Sequence, residues 1–413
     1  MLSSEKTAFV LWVDSLPVCM GVGPPSLSFV AMLFCEDFVP SLLASGRPPK
    51  VAPFTDGVRQ ANRWLGEHPE VRVQRCETVS AAVSPHDGQY CDTRVMSYPA
   101  GKPKDVSRFS LRGLRIWYQK AEQEKHPSKP PQITSLDVLP RDHGDKVETF
   151  HDVLARLNGL IAENKGQHLL NIQTMVIPGD KKGMDSEETV LPIQTPTKLV
   201  RFLRAYLISD EGSPLPPEVH FQDFLPQQVA AGKVSTFSTK LPTFETLSET
   251  FAKANKWLEA CTDVNLINVE VFDLLLDKEA SYCASDPQTC SFSTKKPPFG
   301  WLKVVRIYYS TEQGSTPVGK LVDLSFCPEV KEKKTLFHYA KYEELPEVVK
   351  KVQLKSEGVG GVPVGVQSVW TYPDWESGKD VFQPNASLHV EPRIDGTELL
   401  PQVETIHVCM IVK

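Results

Sequence analysis

An α+β fold built from four tandem strand-helix-strand-strand units with antiparallel sheets, arranged as two similar halves, is what this sequence predicts. Three observations carry that reading. The order of helix, strand and closing strand in Phe244 to Tyr309 recurs: Phe251–Leu258, Val264–Phe272 and Trp301–Tyr309 have counterparts in Ala61–Leu65, Val71–Gln74 and Leu114–Tyr118. A proline ends the opening strand of each copy, at positions 40, 140, 226 and 328. Alternate copies match best in spacing. Asp37 and Asp223 stand 186 residues apart, as do Asp137 and Asp323, while Asn62 and Asn255 are separated by 193 and Arg115 and Arg306 by 191. Self-similarity at a fixed period is weighed before other fold signals. Strands joined in succession without a helix favour antiparallel pairing, and helices confined to one side of such sheets define the α+β class.

The elements follow in order. Residues 1–25 fit no copy and form an N-terminal extension. The first unit, 26–120, opens with an apolar strand over Leu27–Phe34 that ends at Asp37-Phe-Val-Pro40. Its helix runs from Phe54 to about His68, with Val58, Ala61, Trp64 and Leu65 on one face, and Pro69 cannot continue it. Strands Val71–Val79 and Ser110–Tyr118 follow. The second unit, 131–208, opens at Ile133–Pro140. The stripe Val153, Leu154, Leu157, Leu160, Ile161 marks a helix over Phe150–Glu163, which Gly166 stops. Strands His168–Ile177 and Leu199–Ile208 complete it. The third unit, 217–310, opens at Val219–Pro226. The fourth, 319–413, opens at Leu321–Pro328, and its helix spans Phe337 to about Val352 with an interruption at Pro346. The glycine-rich run Gly358–Gly365 reads as a flexible loop before a strand over Val364–Thr371, and Thr405–Val412 is the last strand.

Composition narrows the function classes. The 413 residues are 41% hydrophobic and 23% charged, the profile of a globular chain larger than one typical core. A net charge of −6 offers no electrostatic footprint for nucleic acid. No apolar run reaches the roughly 18 residues of a spanning helix, and Ala8–Val13 is too short for a secretory signal. The expectation is a cytoplasmic protein with no membrane and no nucleic-acid partner. Nine cysteines without a Cys-x-x-Cys pair read as free thiols, with Cys283 and Cys290 the best local pair for a disulfide.

One constellation is patterned. Side chains alternate across a strand, so each closing strand splits into two faces. Leu114, Ile116 and Tyr118 lie opposite Arg115 and Trp117. Leu203, Ala205 and Leu207 lie opposite Arg204 and Tyr206. Val305, Ile307 and Tyr309 lie opposite Arg306 and Tyr308. In the fourth unit Thr405 and His407 stand in that place, and the pattern breaks. An arginine two residues before an aromatic sets a guanidinium beside a ring, an arrangement that contributes about 0.5–2 kcal/mol. Two readings follow. The six residues fill the seam between units, or they form a surface that clamps an anionic ligand. An aspartate also recurs shortly before each strand-ending proline (Asp37, Asp137, Asp223, Asp323), as expected of a turn-forming residue. Asn62 and Asn255 precede Trp64 and Trp257 on matching helices; the tryptophans suit core anchors and the asparagines suit capping of neighbouring backbone.

Catalytic signatures are missing. There is no phosphate loop, no Gly-x-Ser-x-Gly elbow, no His-Glu-x-x-His and no paired-cysteine metal spacing. The sequence therefore leads to a non-enzymatic binding or assembly protein with no cofactor and no metal. Its partner is an unknown protein or a small anionic ligand. The alternatives are an enzyme or anion carrier with its site in the cleft between paired units, held by Arg115, Arg204 or Arg306, and a self-associating lattice or filament component.

Overall fold

A computed structural model gives the architecture. It describes residues 32–412 apart from 47–48, 83–92, 99–108, 121–129, 143–146, 180–183, 193–197, 210–217, 232, 235–238, 241, 278–282, 285, 294–299, 312–318, 333–339, 372–381 and 390–401. The N-terminal extension lies outside the described residues. The class is α+β: the chain passes through strand, helix, strand, strand four times. The first pass is β1 (Phe34–Phe38), α1 (Phe54–Glu67), β2 (Val71–Ala82) and β3 (Phe109–Lys120). The second is β4 (Gln132–Val138), α2 (Phe150–Glu163), β5 (Gln167–Pro178) and β6 (Lys198–Ser209). The third is β7 (His220–Phe224), α3 (Leu247–Ala260), β8 (Val264–Asp277) and β9 (Trp301–Thr311). The fourth is β10 (Lys320–Phe326), α4 (Leu345–Val359), β11 (Val362–Thr371) and β12 (Gln402–Val412). Each sheet is antiparallel with its closing strand in the middle, in the orders β1-β3-β2, β4-β6-β5, β7-β9-β8 and β10-β12-β11.

Local chemistry sets the helix ends. Thr149 and Thr246 begin α2 and α3 with capping boxes closed by Asp152 and Glu249. Gly166, after α2, takes a φ of 81°, the left-handed region that glycine enters without steric cost. Three expectations are corrected. Pro346 does not interrupt the fourth helix; it sits in the first turn of α4, where its missing N–H is no loss. The opening strand of the first unit lies later, at Phe34–Phe38, and residues 27–31 fall outside the described set. The glycine-rich run is not a loop: Gly358 lies in α4, Gly360 ends that helix at a φ of 68°, and Gly365 lies within β11.

The four sheets stand around one axis. The inner strands adjoin in sequence, β2 with β5, β5 with β8, β8 with β11 and β11 with β2, so the ring closes. Equivalent residues on them are Glu77, Gln173, Glu270 and Gln367, 96 or 97 residues apart. The longer spacing between alternate copies is therefore two steps around one ring. Each apolar core joins the helix-bearing face of one sheet to the opposite face of the next. Phe54, Leu65 and Ile116 meet Ile133 and Tyr206 of the second unit. Leu157 and Leu203 meet Val219 and Tyr308 of the third. Phe251 and Ile307 meet Leu321 and Val369 of the fourth. Val348 and Ile406 meet Leu33 and Trp117 of the first. Both faces of every sheet are thus covered, which a sheet of this kind needs to bury its apolar side chains.

Three sets of polar bonds repeat around the ring. The connection between the inner and closing strands of each unit adds a short strand to the preceding unit: Val190–Pro192 on β3, Ser291–Ser293 on β6, Leu388–His389 on β9 and Ser97–Tyr98 on β12. The same connection receives the first helical N–H of that preceding unit. Phe54 N donates to Glu187 O at 3.2 Å, Phe150 N to Gln288 O at 2.9 Å, Leu247 N to Asn385 O at 2.9 Å and Leu345 N to Arg94 O at 2.8 Å. This satisfies donors that no helix can satisfy internally. Finally, each helix reaches the start of the following unit, in or just before its opening strand, through a side-chain amide. Asn62 bonds both backbone groups of Ile133, Asn158 those of Val219 and Asn255 those of Leu321, while Gln353 Nε2 donates to Leu33 O at 2.7 Å. Among the described residues no helix is long and apolar enough to cross a membrane.

Candidate functional site

The six residues singled out by the sequence sit in the seams between units. Arg115, Trp117, Arg204, Tyr206, Arg306 and Tyr308 are all at most 1% exposed. Their aliphatic neighbours face the helix of their own unit, as the strand alternation requires, and they themselves face the preceding unit. Arg306 donates Nε and Nη2 to the two oxygens of Asp223 at 2.6 and 2.7 Å, and Nη1 to Thr174 Oγ1 at 3.3 Å. Arg204 does the same with Asp137 and Thr78. Arg115 does the same with Asp37, and its Nη1 reaches Ser368 and Glu404. The guanidinium carbons of Arg204 and Arg306 lie 3.7 and 3.8 Å from the ring centres of Phe54 and Phe150, the first residues of the preceding helices. The aromatics join the same seams. Trp117 Nε1 donates to Glu77, Tyr206 OH lies 2.5 Å from Thr78 Oγ1, and Tyr308 OH donates to Glu270. These arginines present no surface and no cleft donor to an anion, because paired partners occupy their forks.

The recurring aspartate is likewise corrected. Asp37, Asp137 and Asp223 form no turn; each faces its arginine across the strand pair. The fourth aspartate is out of frame. Asp323 stands opposite Cys409, five residues before its proline, while Ser325 stands opposite His407. By register with the inner strand, His407 takes the arginine position and Cys409 the aromatic one, two residues beyond the frame read from the sequence. The hydroxyl that receives the arginine at the other seams is Val271 here. Arginine and hydroxyl are lost together.

Around the axis, side chains from one inner strand bond the backbone of the strand before it. Gln173 bonds both backbone groups of Thr78, Glu270 accepts from Thr174 N at 2.8 Å, Gln367 donates to Val271 O at 2.5 Å and Glu77 accepts from Ser368 N. Burial raises the Glu77 carboxyl to about 7 against the opposing pull of Arg115, and burial raises Glu270 as well.

Beyond that layer the axis widens into a cavity of about 390 Å³, next to the seam that lost its arginine. Three inner strands line it with Thr174, Glu270, Asp273 and Gln367, and Arg201 and Trp301 enter from β6 and β9. Arg201 is fully buried and has no carboxylate partner among the described residues. Its Nη1 donates to Pro287 O and Thr289 O at 3.2 and 3.3 Å, and its guanidinium carbon lies 5.1 and 5.3 Å from the rings of Phe272 and Phe292. Among the described residues its Nε and Nη2 have no acceptor, and Asp273 Oδ1 has no donor. Burial, reinforced by Arg306, lowers Arg201 to about 10; burial raises Asp273. Lys303 next to Asp273 is lowered by burial to about 8, and its Nζ lies 3.4 Å from Thr371 Oγ1.

Sequence reading missed Arg201, although a signal was there. A basic residue precedes the seam arginine by three in each of three units, as Arg112, Arg201 and Lys303. An offset of three places it on the opposite strand face, where a second role was to be expected. Among the described residues Cys35, Cys76, Cys261, Cys290, Cys327 and Cys409 are free thiols, while the side chain of Cys283, the other half of the pair considered, lies outside the described residues. Comparison with family models, with curated proteins and with solved structures finds no match to this chain.

Proposed function

We propose that this protein is a non-enzymatic binding protein that takes a small anionic molecule with a planar body into the axial cavity. One observation supports the reading above all: among the described residues the buried Arg201 guanidinium keeps two N–H-bearing nitrogens without an acceptor. A buried cation with unmatched donors is costly, and a carboxylate or phosphate oxygen is the acceptor that relieves it with charge-assisted bonds. Trp301, Trp370 and Phe272 supply aromatic walls, Asp273 supplies a free acceptor for a donor on the ligand, and the volume lies in the range of small-molecule sites. The anion-holding role moves from Arg115, Arg204 and Arg306 to Arg201. The test is a fluorescence titration of the intact chain with indole-3-carboxylate, benzoate and a nucleoside monophosphate, with Trp301 and Trp370 as reporters. Saturable binding of at least one probe is expected, and Arg201→Met should weaken it by about tenfold or more, the loss of one charge-assisted bond. Absence of saturation with all three probes, or equal binding by the variant, overturns the reading.

A further inference from the structure

The other end of the axis holds a different site. Each inner strand carries a β-bulge where its register against the closing strand shifts, and the residues left unpaired are Gln74, Leu170, Ile267 and Val364. They are equivalent around the ring, three residues before Glu77, Gln173, Glu270 and Gln367. A bulge takes a residue out of the ladder and re-aims its backbone. All four freed carbonyls converge on one group. Arg75 Nη1 donates to Gln74 O and Leu170 O, each at 3.0 Å, and Arg75 Nη2 donates to Ile267 O at 3.0 Å and Val364 O at 3.2 Å. Two terminal nitrogens carry four N–H groups, and each finds a carbonyl from a different unit.

The other three units yield the axis to this side chain. The residues equivalent to Arg75 are Asn171, Asn268 and Gly365. Asn171 and Asn268 turn aside and bond the backbone of Cys76 and Ile172. At Gly365 a side chain has no room, because a Cβ would fall 2.3 Å from Val269 O. Among the described residues no carboxylate balances Arg75; four carbonyl dipoles face it instead. A ring of four main-chain carbonyls is the kind of cage that replaces the hydration shell of a monovalent cation.

We infer that the pseudo-fourfold axis carries a cation-binding site of the carbonyl class, filled from within by the guanidinium of Arg75, and that this internal cation locks the four units into a closed ring. The ligand chemistry of the cage is therefore guanidinium or a large monovalent cation. The cage shares no lining residue with the Arg201 cavity.

Thermal unfolding of the intact chain tests it, with wild type, Arg75→Met and Arg75→Lys compared in choline chloride, potassium chloride and sub-denaturing guanidinium chloride at equal ionic strength. Arg75→Met keeps an apolar stem and removes the cation. Its midpoint should fall in choline, and guanidinium or potassium should raise it relative to wild type in the same salt, because a ligand that binds only the folded state stabilises it. Arg75→Lys, which retains a cation, should melt between the two. If Arg75→Met melts like wild type in choline, no cation is needed and the inference fails. A lowered midpoint that no cation restores shows a role for stem packing alone and also overturns it. Should Arg75→Met not fold in choline, recovery of folded protein by refolding in potassium or guanidinium supports the cage, and failure to refold in every salt while Arg75→Lys also fails refutes it.

Discussion

Three seams of the ring and the fourth solve the same packing problem with different chemistry. Between the fourth and first, first and second, and second and third units, a buried arginine grips an aspartate on its own sheet and a hydroxyl on the preceding one, Ser368, Thr78 or Thr174. Between the third and fourth units, His407 replaces the arginine and Val271 the hydroxyl, and Nδ1 of His407 lies 3.3 Å from both Asp323 oxygens. The two changes belong together. A guanidinium facing Val271 would lose its acceptor across the seam, and a buried donor without a partner costs about 1–3 kcal/mol. The axial cavity lies beside this seam, with Val271, Gln367 and Val369 in its wall. A seam bound by three charged bonds closes tightly; the seam without them leaves room for a ligand.

That contrast can be broken most forcefully at the seam between the second and third units. Arg306→Ala leaves the buried Asp223 without its partner and should cost about 3–5 kcal/mol, against about 1–3 kcal/mol for His407→Ala. Urea unfolding of both variants measures the difference, and equal losses would show that the arginine seams are no tighter than the fourth. A smaller effect is expected from Thr174→Val, which gives this seam the side chain that Val271 gives the one between the third and fourth units. It removes the hydroxyl shared by Arg306, Glu270 and Tyr308 and should cost about 1–3 kcal/mol by the same assay. A neutral result would mean that the hydroxyl is incidental.

The smallest effect concerns pH and separates the seams with carboxylates from those with amides. Glu77 and Glu270 stand where the alternate units carry Gln173 and Gln367. Burial holds Glu77 up to about 7 and also raises Glu270. Between the ordinary glutamate value near 4.5 and about 7 the folded state holds protons that the unfolded chain has released. The stability these groups contribute is therefore complete below the unfolded value and is lost as pH rises through the folded one. Glu270→Gln leaves Glu77 to act alone, so its stability should decline less steeply as pH rises above the ordinary glutamate value in urea titrations at stepped pH. The amide can accept from Thr174 N and donate to Tyr308 OH, so the fold should tolerate it. Identical slopes would show that Glu270 does not titrate there.

Local patterns made much of the fold legible. The stripe from Val153 to Ile161 and the Gly166 stop place α2, because helix periodicity and end signals act within a few residues. Alternation in the closing strands correctly separated Leu114, Ile116 and Tyr118 from Arg115 and Trp117. The same signals misled where context decided. Pro346 starts a helix instead of breaking one because it falls in the first turn. The aspartates were assigned to turns because their arginines lie 67–83 residues away in the chain. The recurring basic residue three before each seam arginine marks Arg201 as patterned, but what surrounds Arg201 and Arg75 comes from units far away in the chain, so their environments are not written in their neighbours.

By itself the sequence determined the main helices and the closing strands, the inward and outward faces of those strands and the recurrence of a single order, all properties written in neighbours a few positions apart. Tertiary structure alone decided that the units close into a ring, that four bulged carbonyls meet at Arg75, and that a cavity opens beside the seam lacking an arginine. The physical reason is distance along the chain. Glu77 bonds Ser368 across 291 residues, and Arg75 reaches Val364 across 289. Such pairs arise only when packing of the apolar faces has brought four separate sheets around one axis.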